Sequence, residues 1–188
     1  MIVYEVNRAE LEYVEKKLGN MKSKAPQVFK NAVNKTARQA RKRIAQSAKG
    51  AYTVKQVGFN SHMKIRAATT GNLTASVDAD GKPLTVIRFK NRGGRPNKGG
   101  AGAAADITNS GLKQIVSAKG GKAFKRNGLV MQRKGKDRFP LKVLHSNSVP
   151  KMIEKIYKGE RGMAGALREP IQSDLRKNIE AEVRKIVG

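Results

Sequence analysis

The 188-residue sequence contains no cysteine and no tryptophan. Without cysteine the chain cannot form disulfides, thiolate metal sites or a cysteine nucleophile, and this composition is typical of proteins that mature in a reducing cytoplasm. Aromatic residues make up 5% and hydrophobic residues 38% of the chain. We therefore expect one domain with a lean core of Val, Ile, Leu and Ala, which gains stability from neighbouring molecules.

Long apolar runs are also missing from the sequence. No stretch approaches the roughly 20 apolar residues that a membrane span needs. The N-terminal segment MIVYEVNRAELEYVEKK has neither the basic region nor the long apolar region of a signal peptide. The sequence therefore predicts neither export nor insertion into a membrane.

Acidic residues are scarce, with 14 Asp and Glu against 40 Lys and Arg, which gives a formal net charge of +26. Between Lys16 and Lys151 there are 31 basic and only four acidic residues, whereas the two ends of the chain are nearly balanced. A charge of this size repels itself within an isolated monomer and attracts polyanions. The composition thus predicts a partner of opposite sign, either nucleic acid or an acidic protein surface.

The residues that an enzyme needs are largely absent. His62 and His145 are far apart and have no ligand-like spacing, and we interpret both as surface or strand residues; the motifs HExxH, GxSxG and HxH do not occur. Residues Gly100 to Ala105 match the dinucleotide fingerprint GxGxxA, but no apolar strand precedes them and no acidic residue follows at the expected distance. We predict a flexible loop there, and no enzyme activity, cofactor or metal.

Hydrophobic periodicity predicts helices at both ends of the chain. The spacing of Leu11, Val14, Leu18 and Met21 predicts a first helix that closes near Gly19–Asn20. A longer helix follows, with Ser23 as its N-cap and Pro26 in its first turn. A short helix is predicted for Val149–Tyr157 after Ser148, and a last helix begins near Met163. Two sets of residues form the apolar stripes of the second and last helices: Val28, Phe29, Ala32, Val33, Ala37, Ala40 and Ile44, and Leu167, Ile171, Leu175, Ile179, Val183 and Ile186. We assign Leu167, Ile171, Leu175, Ile179 and Val183 to packing against partner subunits.

Apolar and polar residues alternate in the middle of the chain, which is the pattern of β-strands. Ile2 to Val6 suggests an edge strand or an extended arm; MKIRAAT, LTASVDAD and LTVIRFK predict one strand followed by a hairpin; and LKQIVSAKG, GLVMQRKG and FPLKVLH predict three more strands. The Gly- and Ala-rich segment at about 91–106 has no apolar anchor, so we predict a mobile basic arm there. The predicted fold is α+β in a single domain, 1–188. A small antiparallel sheet is flanked by an N-terminal pair of helices and a long C-terminal helix.

The candidate binding residues are basic side chains on the second helix and on the arm. The helix has no acidic residue three or four positions from its cations, so they do not form intrahelical pairs, and aromatic residues suited to base stacking are missing. The contact would therefore be electrostatic and independent of base sequence, and the alternative is an ordinary solvated face. The predicted contacts to DNA or to an acidic partner are Arg38, Arg41, Lys42, Arg43, Arg92, Arg95 and Lys98.

The order of several segments resembles a known family. A basic Ala-rich helix closes into AYTVKQV, and MKIRAATTGNLTASV, DGKPLTVIRFK and RFPLKVLHSNSVPKMI follow before a charged C-terminal helix. This order resembles the phage minor tail protein Z, or tail completion, family from about Leu11 to Val187. The most specific element is the segment Ser148–Met152 after a PLKVL strand.

The resemblance implies a structural virion protein without catalytic residues. Such a protein would be assembled in the host cytoplasm and complete the head-proximal end, or neck, of the tail, where it supports head–tail joining and positions the DNA end. Its partners would be copies of itself in a ring, a hexamer by analogy with tail rings, together with the tail terminator, the tail tube and the phage DNA end, but no membrane. The alternative from charge alone is a sequence-independent nucleic-acid-binding protein, either ribosome-associated or DNA-compacting.

Overall fold

The computed structural model describes residues 2–4, 8–55, 58–94, 101–118, 121–160 and 167–187. The predicted α+β fold is confirmed, with helices surrounding small antiparallel sheets. The described helices are α1 (Arg8–Leu18), α2 (Ala25–Ala51), α3 (Val149–Lys158) and α4 (Arg168–Val187). The described strands are β1 (Ile2–Tyr4), β2 (Met63–Arg66), β3 (Ala75–Ala79), β4 (Pro83–Thr85), β5 (Lys90–Arg92), β6 (Ala104–Asp106), β7 (Lys113–Gln114), β8 (Phe124–Arg126), β9 (Leu129–Arg133), β10 (Leu141–Val143) and β11 (His145–Ser148).

The long helix α2 forms the centre of the main core. Every residue of its predicted stripe from Val28 to Ile44 is buried, because apolar residues at helical spacing share one face. The predicted N-cap at Ser23 is wrong: Lys24 occupies that position without a side-chain hydrogen bond. The reason is a 3₁₀ turn at Gly19–Lys24, which joins α1 to α2 and lets the Ala25 N–H donate to the Lys22 carbonyl.

Helices α1 and α4 pack beside α2. Val14 and Leu18 of α1 are buried, and so is the stripe of α4 from Ile171 to Val183. The predicted start of the last helix near Met163 lies outside the described residues, which resume at Leu167. The three helices therefore enclose one apolar layer.

Four polar contacts, made by three residues of α4, cross the interface between α2 and α4. Asp174, Asn178 and Glu182 follow each other at one turn of α4, and each reaches a polar residue of α2. The contacts are Arg43 Nη2 to Asp174 Oδ2 at 2.8 Å, Asn178 Nδ2 to Thr36 Oγ1 at 2.9 Å and to Gln39 Oε1 at 2.8 Å, and Asn31 Nδ2 to Glu182 Oε2 at 3.1 Å. Because polar groups at this depth need matched partners, the contacts fix the register of α4 on α2.

We expect Asn178→Ala to lower the free energy of unfolding by about 1–3 kcal/mol, because it removes two hydrogen bonds from a residue that is only 5% exposed. Urea denaturation followed by circular dichroism measures this difference. Gln172→Ala, on the exposed side of the same helix, is the control and should stay within about 0.5 kcal/mol of the wild type. Equal losses in both variants would show that the contact does not stabilise the interface.

Helix α3 and the first sheet close the main core. The Ser148 side chain accepts a hydrogen bond from the Lys151 N–H, as predicted for the N-terminus of this helix. Gly159 ends the helix in the left-handed conformation, with φ at 69°. β1 is the edge strand of a sheet in the order β1-β3-β2, which confirms the predicted edge strand.

The predicted hairpin between LTASVDAD and LTVIRFK is wrong. β3 pairs with β2 and β1, whereas β4 pairs with the distant β11. The segment LTVIRFK is also not one strand, since a 3₁₀ turn at Val86–Arg88 separates β4 from β5. The middle of the chain therefore forms several small sheets rather than one.

A second, smaller core holds two further sheets, in the orders β5-β6-β7 and β10-β9-β8. Its buried residues are Val86, Ala103, Ala105, Ala123 and Val130. The structure thus differs from the predicted mobile arm at both ends of 91–106, because β5 and β6 pair with each other and Ala103–Asp106 are buried. Packing is tight enough that a Cβ on Gly102 would lie 2.9 Å from Lys122 Cβ. Residues 95–100, the middle of the predicted arm, lie outside the described residues.

Candidate polyanion-binding surface

The side of α2 opposite its buried stripe carries a row of exposed cations. Lys35, Arg38, Lys42 and Lys49 are spaced by three, four and seven positions, which places them on one face of a helix. We call these four residues the α2 column. No described residue forms an ion pair or hydrogen bond with the side chains of Arg38, Lys42 or Lys49, while Lys35 lies close enough to Glu182 to lower the pKa of that carboxyl.

Two other predicted contact residues of α2 are occupied inside the chain. Arg41 is half-buried, and its Nη2 donates to the Asn60 carbonyl at 2.8 Å. Arg43 forms the ion pair with Asp174 described above, in which the carboxylate side chain is 19% exposed. Sequence spacing could not show this, because the partners come from a loop and from the far end of the chain. Of the four cations predicted on this helix, Arg38 and Lys42 face solvent.

The arm contributes one described residue to the predicted site. Arg92 is exposed on β5, where it pairs in register with Ala104 of β6. Arg95 and Lys98 lie outside the described residues. The site therefore has a helical part and a strand part, and the described residues show no direct contact that joins them.

The residues assigned to subunit packing lie inside the chain itself. Leu167 is 9% exposed and Ile171 is 1% exposed. Leu175, Ile179 and Val183 are also buried in the main core. Helix α4 packs on α2 through this stripe, which leaves these side chains little surface for a partner subunit. The sequence pattern identified a buried face correctly, and the structure places an element of the same chain against it.

Sequence reasoning missed a second set of cations, on the sheet formed by β8, β9 and β10 and on the loop between β9 and β10. Seven exposed cations belong to this set: Lys125, Arg126, Arg133, Lys134, Lys136, Arg138 and Lys142. None of them forms an ion pair within the described residues. We call them the β8–β10 cations. The sequence contains a signal for this surface: between residues 121 and 142 basic residues are frequent, and Asp137 is the one acidic residue.

Most acidic residues with a described ion pair form it with cations outside the α2 column and outside the β8–β10 cations. Hydrogen bonds from Lys158 and Lys151 lower the pKa of Glu154 to about 2. A hydrogen bond from Lys185, supported by Asn31, lowers the pKa of Glu182. Asp78 and Asp80 pair with Arg66 and Lys64 at 2.7 and 3.8 Å. Apart from Glu182, which also lies near Lys35, these acids neutralise cations outside both groups, so Arg38, Lys42 and Lys49 of the α2 column and the β8–β10 cations have no described ion pair.

Nothing in the described part of the chain resembles a catalytic centre. The His62 ring nitrogen contacts the Asp80 carbonyl at 3.1 Å, and His145 is exposed on β11. No group of His, Cys, Asp or Glu among the described residues is arranged to hold a metal ion, and none of the described helices is long and apolar enough to cross a membrane. The residues that follow Gly102 in the GxGxxA match form buried strand β6 instead of a phosphate-binding turn.

Comparison with known proteins gives one family. The family model described as prophage minor tail protein Z (GPZ) matches residues 11–188, which is nearly the whole chain. No curated protein and no solved structure matches.

Proposed function

Since the chain belongs to the prophage minor tail protein Z family, and is therefore a structural protein of a phage tail, we propose that it completes the head-proximal end of that tail. There it supports the joining of tail to filled head and the positioning of the DNA end. The proposal needs no catalytic step, and the protein acts by binding its neighbours in the virion.

The observation that supports this role best is the uncompensated basic surface. The exposed α2 column lies on a rigid helix whose opposite face is buried, so its cations are presented at fixed spacing to a partner. A phage tail surrounds DNA and is built from stacked rings, so a subunit at its end meets both nucleic acid and protein rims. Cations on such a surface steer association and suppress partners of like charge.

We propose further that the protein acts as a ring of identical copies, a hexamer by analogy with tail rings, between the tail terminator or tail tube and the head. Copies in a ring make head-to-tail contacts, in which two different surfaces of the subunit meet. Because the α4 stripe is buried within each chain, the contact between copies would use surfaces outside that stripe. Self-repulsion at a net charge of +26 would oppose this assembly until an acidic partner binds.

Complementation tests the proposed function. In a phage that lacks the protein, we expect filled heads and tails of normal length but few infectious particles, because the defect lies at joining or DNA delivery. Adding purified protein to such a lysate should restore the infectious titre, whereas buffer alone should not. Electron microscopy of virions carrying a labelled copy should show the label next to the head. A label along the tail or at its distal tip, or a mutant that makes no tails, would contradict the proposal.

A further inference from the structure

Exposed cations flank both faces of the β8–β10 sheet, although Val130 and Gln132 at the centre of one face are buried. In an antiparallel sheet, residues paired in register point to the same side. Lys125 pairs with Val130 and Lys142 with Gln132, and these two positions of β9 face the same way. Lys125 and Lys142 therefore flank one face, at its two outer strands.

The opposite face has cations of its own. Arg126 pairs with Leu129 and Arg133 with Leu141, on the side of β9 that alternates with Val130 and Gln132. Both arginines are exposed. The exposed cations therefore lie around buried side chains on each face, at Val130 and Gln132 on one and at Phe124 on the other.

The loop between β9 and β10 extends this surface. Lys134, Lys136 and Arg138 are all exposed there, and Asp137 is the one acid. Phe139 is 60% exposed and lies under the Arg138 guanidinium, 5.8 Å from ring centroid to Cζ. A single exposed ring does not make a stacking platform for successive bases.

The sheet is anchored firmly enough to hold these charges in place. Val130 is buried in the second core, and the Leu144 N–H donates to its carbonyl at 2.9 Å. The buried Gln132 amide donates to the Gly121 carbonyl at 2.6 Å. That amide is therefore occupied and does not read base edges.

We propose that the β8–β10 cations bind the phosphate backbone of duplex DNA, independently of base sequence. All seven cations are exposed, and none forms an ion pair with a described residue. They are therefore free to neutralise the closely spaced phosphates of a duplex, which carries one negative charge per about 1.7 Å of helix axis. For its setting in the virion, this inference rests on the proposed function.

Salt titration of DNA binding tests the proposal. For purified full-length protein and short duplexes of unrelated sequence, we expect similar affinities that fall steeply with salt, because each phosphate contact contributes about 0.9 to the slope of log K against log salt concentration. Neutralising four β8–β10 cations should reduce the slope by about 3–4. The test variant is Lys125→Gln, Arg126→Gln, Arg133→Gln and Lys142→Gln.

The control removes the same charge from the helical end of the molecule, at exposed lysines. It is Lys16→Gln, Lys22→Gln, Lys24→Gln and Lys177→Gln. We expect its slope to stay within about 1 of the wild type, because it removes no phosphate contact. Circular dichroism should show that both variants are folded. If the test variant is not, the single variants Arg126→Gln and Lys142→Gln replace it, each with an expected slope change of about 0.9, and the single variant Lys177→Gln becomes the control, with the slope of the wild type.

Three results would overturn the proposal. The first is a test variant that binds DNA like the wild type, and the second is an equal slope change in test and control variants, which would mean attraction by net charge alone. The third is wild-type protein that binds polyglutamate but not DNA. The complementation experiment is independent of all three. If the test variant binds DNA like the wild type and the wild-type protein rescues head–tail joining, the sheet has no role in DNA binding, while the proposed tail function stands. DNA binding through the sheet without rescue would contradict the tail function alone.

Discussion

Replacing Ile171 by Asp is expected to abolish cooperative folding of the isolated chain. Ile171 is 1% exposed in the layer between α2 and α4, so a carboxylate there would be removed from water. Removing a large core side chain costs about 2–5 kcal/mol, and burying an unpaired charge adds to this cost. Because a typical domain is stable by only about 5–15 kcal/mol, one substitution can remove most of the folding free energy.

Leu175→Asp should behave in the same way, whereas Lys177→Asp on the exposed side of α4 should stay within about 0.5 kcal/mol. Urea denaturation followed by circular dichroism compares the three variants, and size-exclusion chromatography measures their association. Equal stability in all three would contradict the packing of α4 on α2. If Ile171→Asp folded as a stable monomer but lost self-association, the stripe would be a subunit interface, as its sequence pattern first suggested.

The sequence predicted those elements whose signals are local. The stripe of α2 from Val28 to Ile44 repeats at helical spacing over many turns, so its burial followed from the pattern alone. Ser148 before an apolar run indicated the start of α3 because a hydroxyl at an N-cap satisfies free N–H groups. The edge strand at Ile2–Tyr4 was similarly visible as a short apolar run.

Contacts between distant segments could not be predicted from the sequence. β4 pairs with β11 although about 60 residues separate them, and no turn signal links the two strands. The Ala-rich strand β6 resembles a flexible linker in composition, yet small side chains are what tight packing against Ala123 and Val130 requires.

The candidate site was predicted in part, for the same reason. Arg38 and Lys42 are exposed because the stripe fixes which side of α2 faces solvent. Arg43 is not available, since Asp174 reaches it only after α4 has packed. The β8–β10 cations are not among the predicted contacts, because the strand pairing that brings Lys125, Arg126, Arg133 and Lys142 onto one sheet cannot be inferred from their spacing.

Reversing the charge of the α2 column should block the production of infectious particles while the chain still folds. We propose Arg38→Glu with Lys42→Glu, and we leave Arg41 unchanged because it donates to the Asn60 carbonyl. Both replaced side chains are exposed, and Glu has a helix propensity close to that of Arg and Lys, so stability should change by less than about 0.5 kcal/mol. Like-charge contact with DNA or an acidic rim costs several kcal/mol per interface.

That penalty recurs at every copy in a ring, and about 1.4 kcal/mol already corresponds to a factor of ten. When the variant complements a phage that lacks the protein, we therefore expect an infectious titre at least about a hundredfold lower than with the wild-type protein. Tails should form and then fail at head joining or DNA delivery. Lys22→Glu with Lys24→Glu is the matched control: it makes the same change in net charge at the N-terminal end of α2, where the helix dipole tolerates negative charge. If both variants restored wild-type titres at normal expression, the α2 column would be a solvated face, and the acidic partner would have to bind another surface.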